Sequence, residues 1–592
     1  MKRYIKTLSF LSAGALLAAS CSGALDPMRS GDYTEENYQD YPTIIRGFVD
    51  RAFTLLPTAY TGNEFIYLDC ATDNAVATSS SNSCRRYALG TIQPSDDPFS
   101  SWWSRDYNGI AYVNMFLKDD LGISTQYLLD HEQDSLLRRN YQGDAYALRA
   151  WFGYDLLRKF GGRSKGGELL GYPIVGVDFD RSNATVGDYP RASFDDCVKS
   201  ILADCDSAMV YLPYANRSWY AENSTVQGSA RWARFDQVSV TALRSLVYLL
   251  WASDAFNPSG DVSRWEKAAQ YAAEAMRFKL EDDGAHGFSP YNAFYWTDPN
   301  SREIFWCSRY SSKSSAIEET VYPSGFMGNG AIGPTQELAD AFPMANGYPI
   351  TDIRSGYNPA KPFEGRDPRF YSTLFHHGSD VLRSNRTGNV MYTFDVSETG
   401  ADRPGLPGNT LTGYYVKKFV CLDWNGFDLT QQSAPHAVFF IGWRDVCLAF
   451  AEAANRAYGP LDNSLGYSAK EALGYLRART TSDGKTGLGR TSDPYLDECA
   501  AGSREDFEKL VRNERRIETC FEGERLYDLV RWAVPLNERN VQVHAFNVSA
   551  EGKYSTSAVY TINHVSPYIM VPYHETVRSN AIEQNEGWEN WK

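Results

Sequence analysis

Amphipathic helical segments come in pairs along both ends of this chain and vanish from its middle, and that alternation limits the fold more than any other feature. Apolar residues recur at helical spacing over 102–118, 133–160, 194–212, 236–256, 265–278, 442–458 and 469–479. Several starts are marked: Ser193 with Asp196, Ser263 with Glu266, and Ser468 with Glu471 each set a hydroxyl three residues ahead of a carboxylate, the pattern of a capping box. The 133–160 segment is expected to break near Gln142-Gly143 and to stop at Gly161-Gly162, and 194–212 to end before Pro213. A helix with one apolar face has to bury it against a neighbour, and successive helix–turn–helix units do so by stacking. The expected class is therefore mainly α, a tetratricopeptide-like superhelix of helix pairs, although no strict repeat length is kept.

The middle, 283–437, is rich in Gly, Pro, Ser, Asn and aromatics, and no long helical period survives in it. Strand-like runs appear at 303–308 and 414–420, with turns such as Asp298-Pro299-Asn300 nearby. Irregular stretches of this length in a compact protein usually serve function. The same holds for 69–101, a Ser/Asn/Asp-rich loop containing Arg85, Arg86 and Tyr87. Aromatic residues make up 14% of the chain, with 39 tyrosines, more than an ordinary helical core asks for. Such rings either fill core or stack on the apolar face of a sugar, and composition leaves both open.

The first residues carry an address. Lys2, Arg3 and Lys6 precede an apolar run, 8–19, too short to span a bilayer, so it reads as a signal over 1–20. Ala18, Ala19 and Ser20 lead directly to Cys21, which resembles a bacterial lipobox; Cys21 would be the lipidated first residue, its acyl chains buried in the membrane. A net charge of −15 argues against nucleic acid and against adsorption to anionic lipid. The apolar stretches 235–251 and 438–454 contain Asp236, Arg244, Arg444, Asp445 and Glu452, so both read as core helices.

Beyond Cys21 nine cysteines remain, an odd number, so at least one thiol is unpaired within the chain. Cys70 and Cys84 flank a loop and can be joined there; Cys197 and Cys205 share one helix too far apart to bond; Cys447 and Cys520 read as core. No cysteine or histidine cluster has metal spacing, no cofactor motif is present, and His376-His377 reads as a solvent-facing pair. Gly328-Asn-Gly-Ala-Ile-Gly333 matches a dinucleotide fingerprint literally, but no βαβ unit surrounds it, and a glycine-rich loop is the better reading.

The segment 503–532 reads as helix, glycine stop, helix. Ser503 and Asp506 cap it, Phe507, Leu510, Val511, Ile517 and Phe521 share a face, Gly523 permits the left-handed turn, and Leu526, Leu529, Val530 and Trp532 resume. Its charges, Asn513-Glu-Arg-Arg516 and Glu522-Gly-Glu-Arg525, have a solvated face as their usual meaning. The string instead resembles the C-terminal signature of the SusD/RagB family of Bacteroidetes surface lipoproteins. The resemblance extends through Ala147-Leu-Arg-Ala-Trp-Phe-Gly-Tyr154, Phe160-Gly-Gly162, Pro190-Arg-Ala-Ser193 and Leu212-Pro213. It continues with Pro334-Thr-Gln-Glu-Leu-Ala-Asp-Ala-Phe342, Asn346-Gly347, Gly365-Arg-Asp-Pro-Arg-Phe370, Gly413-Tyr-Tyr-Val-Lys-Lys-Phe419 and Ala451-Glu-Ala453. Two positions depart from the family: Gly442 stands where an arginine is expected, and the ending from Val571 to Trp588 follows the proline-rich pattern loosely.

The resemblance implies a lipid-anchored protein facing outward on the outer membrane. It would act as a lid on a SusC-type TonB-dependent transporter, with helices toward the transporter and the irregular half toward the ligand. The ligand is implied to be an oligosaccharide or glycan, with peptide as in RagB the alternative; a surface glycosidase or a non-binding scaffold subunit are further readings. On this division 21–285 is the N-terminal helical part and 286–592 the C-terminal part, with the ligand region at about 286–437. Family motif positions are scaffold, so the candidate platforms come from the irregular segments: Tyr291, Tyr295 and Trp296 before the first strand-like run, Tyr310 and Tyr322 after it. Tyr87 with Arg85 is expected to face them, adding a hydrogen-bonding group. Trp306, Trp102 and Trp103 are expected in the core.

Replacing Cys21 with alanine should release the protein from the membrane fraction into the soluble fraction on cell fractionation. Persistent attachment of that variant in cells lacking the partner transporter would contradict the anchor.

Overall fold

A computed structural model describes residues 41–178, 189–217, 220–282, 301, 303–309, 315–385, 388–422, 424, 435–478 and 492–590. Long helices in chain order are α1 Pro42–Thr54, α2 Ser100–Leu117, α3 His131–Phe160, α4 Phe194–Tyr211, α5 Gln237–Ala252 and α6 Val262–Arg277. After the irregular middle come α7 Trp443–Ala457, α8 Ala469–Arg477, α9 Pro494–Ala501, α10 Arg504–Thr519 and α11 Glu524–Arg531. Each of α1 to α6 packs on the next, and α6 packs on α7 although the middle of the chain separates them; α7 then packs on α8 and α10. The superhelix expected from the periodicity is therefore present, with the irregular region leaving and re-entering between two stacked helices. No helix of the described residues is long and apolar enough to cross a membrane.

The strands are short: β1 Ala75–Ala77, β2 Ile304–Cys307, β3 Ile332–Pro334, β4 Asp380–Asn385, β5 Gly388–Thr393, β6 Phe439–Gly442, β7 Gln542–Val548 and β8 Tyr554–Thr561. β2, within the first part of the irregular region, and β6, just past its end, pair antiparallel with Phe439 opposite Cys307 and Gly442 opposite Ile304. The stem of that region is thus clamped together. Trp306 drives the clamp into the core, stacked on Phe235 with ring centroids 4.0 Å apart and set edge-on to Trp151 at 4.8 Å. It is almost wholly buried, as expected, and so are Trp102 and Trp103.

Three of the expected helix starts and the expected glycine turn are present. Ser193, Ser468 and Ser503 each accept the backbone N–H three residues on, at 3.1, 3.1 and 3.0 Å. Gly523 takes φ +78° ahead of α11. Three expectations need correcting. α3 runs through Gln142-Gly143 unbroken, because Gly143 serves close packing: a Cβ there would lie 2.6 Å from Leu212 Cγ. α6 is capped by Asp261, whose Oδ1 accepts from both the N–H and the hydroxyl of Ser263, at 3.0 and 2.7 Å, so Ser263 is not the cap. His376 does not face solvent but stacks on Phe363 at 4.1 Å, and burial lowers its pKa to about 4.

The charged run of α10 and α11 is not a solvated face. Glu514 is fully buried and meets Arg369 and, at 2.7 Å, Arg477. Arg369 also holds Glu518 at 2.7 Å and grips Asp367 through two bonds of 3.0 and 2.9 Å. Glu522 meets Arg444 and, at 2.6 Å, Lys418. Arg516 and Arg525 both reach Asp73 at 3.0 Å, and Arg531 clasps Glu452 at 2.6 and 2.7 Å. Arg515 joins Asp528 and Glu524, and Glu524 passes the chain on to Arg158, Asp155 and Arg105 in α3 and α2. Burial alone would raise the Glu452 carboxyl, but the Arg531 guanidinium overrides it and holds the pKa at about 2. At Gly442 the backbone N–H donates to Asp445 Oδ2 at 2.7 Å, and Arg444 supplies a guanidinium to this corner.

The chain end folds back on the first half. Asn585 donates to the carbonyls of Phe160 and Ile569 at 3.0 and 2.7 Å, and Arg191 donates to Asn585 Oδ1 at 2.9 Å. The loosely matching ending is therefore anchored in the interior through residues such as Asn585 and Trp588. Cys70 and Cys84 are both buried free thiols, so the loop disulfide considered for them does not form, and Cys447 and Cys520 are buried as expected.

Asp69 is the exception to this paired pattern. Its Oδ2 accepts Phe521 N–H at 2.5 Å and Asn74 Nδ2 at 3.1 Å, no cation bonds it directly, and burial raises its pKa to about 7 against the lowering effect of those bonds. A carboxyl with a folded pKa above its unfolded value, about 4, stabilises the fold at low pH and loses that contribution as pH rises to 7. Asp69→Asn cannot ionise. Urea unfolding should show the variant gaining on the parent from pH 4.5 to 7, by on the order of 1.4 kcal/mol per pH unit, and levelling off above. A difference independent of pH would contradict the assignment.

Candidate ligand-binding rim

Two irregular segments meet in the structure because strands join them. β1 pairs antiparallel with β3, Ala75 opposite Pro334 and Ala77 opposite Ile332. The ladder continues past its ends: Thr78 donates through N–H to Ala331 O at 2.9 Å and through its hydroxyl to Gly330 O at 2.6 Å. Beyond it, Ala331 N–H bonds Thr320 O and Asn329 N–H bonds Glu319 O, each at 2.8 Å. The Ser-rich loop after β1 and the 319–331 segment thus form one rim.

Arg85 shapes this rim from within. Asn82 Oδ1 accepts Arg85 N–H at 3.1 Å and caps the short helix Ser83–Ala88. The Arg85 guanidinium then donates to the carbonyls of Ala77 and Thr78 at 3.0 and 3.1 Å and lies over the Tyr560 ring. Its cation braces the loop backbone.

Tyr87 and Tyr322 are not platforms. Tyr87 is buried against Phe99, His564 and Trp588, with centroids 5.3–5.8 Å away, and burial pushes its pKa up. Tyr322 is buried in a stack with Phe326 at 4.9 Å, Phe375 at 5.7 Å and Trp424 at 5.9 Å. The aromatic excess of the middle is in part core: stacked rings fill the interior of a region whose described helices, such as Ala316–Val321 and Gln336–Ala341, are short. Tyr291, Tyr295, Trp296 and Tyr310 lie outside the described residues, as does Cys21.

The exposed side chains of the rim are not aromatic: Ser79, Ser80, Ser81, Glu319, Ser324, Met327 and Asn329. The glycines of the literal fingerprint explain why Met327 and Asn329 stand out. A Cβ on Gly328 would clash with the Tyr322 carbonyl, and one on Gly330 would lie 2.7 Å from Asn409 Cα, so the backbone presses inward at both. Met327, directly before Gly328, adopts φ +62° and is half exposed, and Asn329 stands between the two glycines. The glycine-rich segment is a tight loop of the rim, not a phosphate cradle. Hydroxyls, an amide and a thioether on a fixed backbone suit recognition by hydrogen bonds and apolar contact.

The SusD family model matches residues 291–588, half of the chain, and a second family model, described as starch-binding associating with outer membrane, matches 33–240. The chain belongs to the SusD family. No curated protein matches it. A SusD-like protein from Bacteroides fragilis superposes with a TM-score of 0.71 at 24% identity, covering 94% of this chain and 98% of its own. A SusD-like carbohydrate binding protein from the same organism gives 0.68 at 16% identity, covering 92% and 99%. A SusD homolog from Bacteroides thetaiotaomicron gives 0.62 at 20% identity, covering 94% and 99%. These likenesses bear on the fold. The family makes the chain a SusD-type binding protein associated with the outer membrane.

Proposed function

We propose that this SusD-family chain captures glycan at the cell surface and hands it to a SusC-type TonB-dependent transporter, held to the outer membrane by acyl chains on Cys21. The observation that carries the ligand side of this reading is the meeting of the 78–85 loop with the 319–331 segment on one braced rim. The ligand would lie across that rim, its hydroxyls met by Ser79, Ser81 and Asn329. Tyr291, Tyr295, Trp296 and Tyr310, in the segments on either side of β2, would supply the stacking rings. Carbohydrate is favoured over peptide by the starch-binding description of the second family and by the printed description of one structural relative. The proposed role is capture without turnover, in line with the printed description of one structural relative as a carbohydrate binding protein. The transporter would dock on the helical superhelix, which offers a continuous wall built from α1 to α7.

Affinity electrophoresis against a polysaccharide panel that includes starch tests the reading. The protein should be retarded by at least one polysaccharide and release no new reducing ends. Trp296→Ala and Tyr310→Ala should each weaken retention by roughly 1–3 kcal/mol with the thermal midpoint nearly unchanged. New reducing ends would make it an enzyme; retention of peptides alone would move it to the RagB side; normal binding by both variants would move the site elsewhere.

A further inference from the structure

A second concavity shares none of the rim's residues. α1, the first half of α3, the 225–234 loop and the residues after β2 enclose a groove of about 680 Å³, a volume typical of small-molecule sites. Its floor is held by two arginines. Arg234 is sandwiched between the rings of Phe53 and Tyr141, 4.6 and 4.7 Å from their centroids, and bonds Asp50 and, at 3.1 Å, Asp144. Arg231 takes the same buried Asp144 at 2.8 and 3.2 Å.

Between them Ala233 adopts φ +63° and lines the groove. A left-handed alanine persists only where its surroundings over-determine it, and such strain gathers at binding sites. Here it turns two neighbouring arginines onto one carboxylate.

The charge does not balance. Four guanidiniums border the groove, Arg46, Arg231, Arg234 and Arg309, against Asp50 in its wall and Asp144 behind. That leaves two positive charges in a chain whose net charge is −15. The surplus lies at the mouth: Arg46 reaches Asp50 only at 3.8 Å, and Arg309 is exposed with no carboxylate partner among the described residues. Exposed Thr54 and Thr225 add hydroxyls there, while Leu137 and Val226 line the groove with apolar surface.

We infer that this groove is a second ligand site, taking a sugar of about disaccharide size that carries a carboxylate, its acid facing Arg46 and Arg309. Arginine suits this task because its planar fork matches a carboxylate with two parallel bonds. A concave, walled site of this size favours a small acid over a protein surface. The inference does not depend on the rim: the two sites share no residue, and a neutral glycan on the rim would leave the groove open to its own ligand.

Calorimetric titration of the full chain in mild detergent tests it, with digalacturonate as probe and the matching neutral galactose disaccharide as control. Digalacturonate should bind, more weakly at higher salt, and the neutral disaccharide at least tenfold more weakly. Arg46→Gln with Arg309→Gln should lose tenfold or more, while Lys199→Gln on exposed α4 should bind as the parent. Both arginines are partly or fully exposed, and Arg309→Gln alone serves if the pair fails to fold. Absence of binding at millimolar digalacturonate, equal binding of the neutral sugar, or undiminished binding by the arginine variants would overturn the site. Loss through Trp296→Ala alone would assign the acid to the platform residues instead.

Discussion

A line of buried ion pairs along α10 and α11 holds together parts of the molecule that are remote in sequence. Glu514 and Glu518 receive Arg369 from the irregular middle, Glu514 also receives Arg477 from α8, and Glu522 receives Lys418 and Arg444. Arg516 and Arg525 take Asp73 from the loop that leads into the rim. Arg515 and Glu524 extend the line to Arg158 on α3. Such pairs add little beyond what apolar packing would contribute, but loss of one partner strands a charge in the interior at a cost of about 3–5 kcal/mol. The arrangement therefore penalises any geometry in which the irregular region is out of place.

That penalty bears on function. The rim has no regular sheet or helix bundle of its own; its longest ladder is the three-residue pairing of β1 with β3. Its position comes from elsewhere: Asp73, just before β1, is held by α10 and α11, and β2 with β6 clamps the stem of the irregular region to the helices. Loops supported in this way can change their side chains without disturbing the frame.

Much of this was legible in the residues, and the boundary is physical. Caps such as Ser193 and Ser468, and the left-handed Gly523, are decided within one helical turn, so local sequence specifies them. The abundance of charge in α10 was visible, but its partners, Arg369, Arg477 and Asp73, come from other segments. The rings show the limit most clearly: Trp306 was expected in the core and is there, whereas Tyr322 and Tyr87 looked like platforms and are core. Aromatic content says how much ring surface must be placed, not which ring meets water. The β7–β8 hairpin went unread because a five-residue connection bearing Gly552 replaces the short turn that usually marks a hairpin. The groove's strained Ala233 had no signal in the sequence at all, since an alanine at φ +63° looks like any other alanine.

A double-mutant cycle across Arg369 and Glu514 tests the central claim most directly. If the ion-pair line ties the irregular region to the helices, Arg369→Gln and Glu514→Gln should each cost about 3–5 kcal/mol, and the double variant should cost well short of their sum. Single effects within about 0.5 kcal/mol of the parent, adding independently in the double variant, would contradict the account.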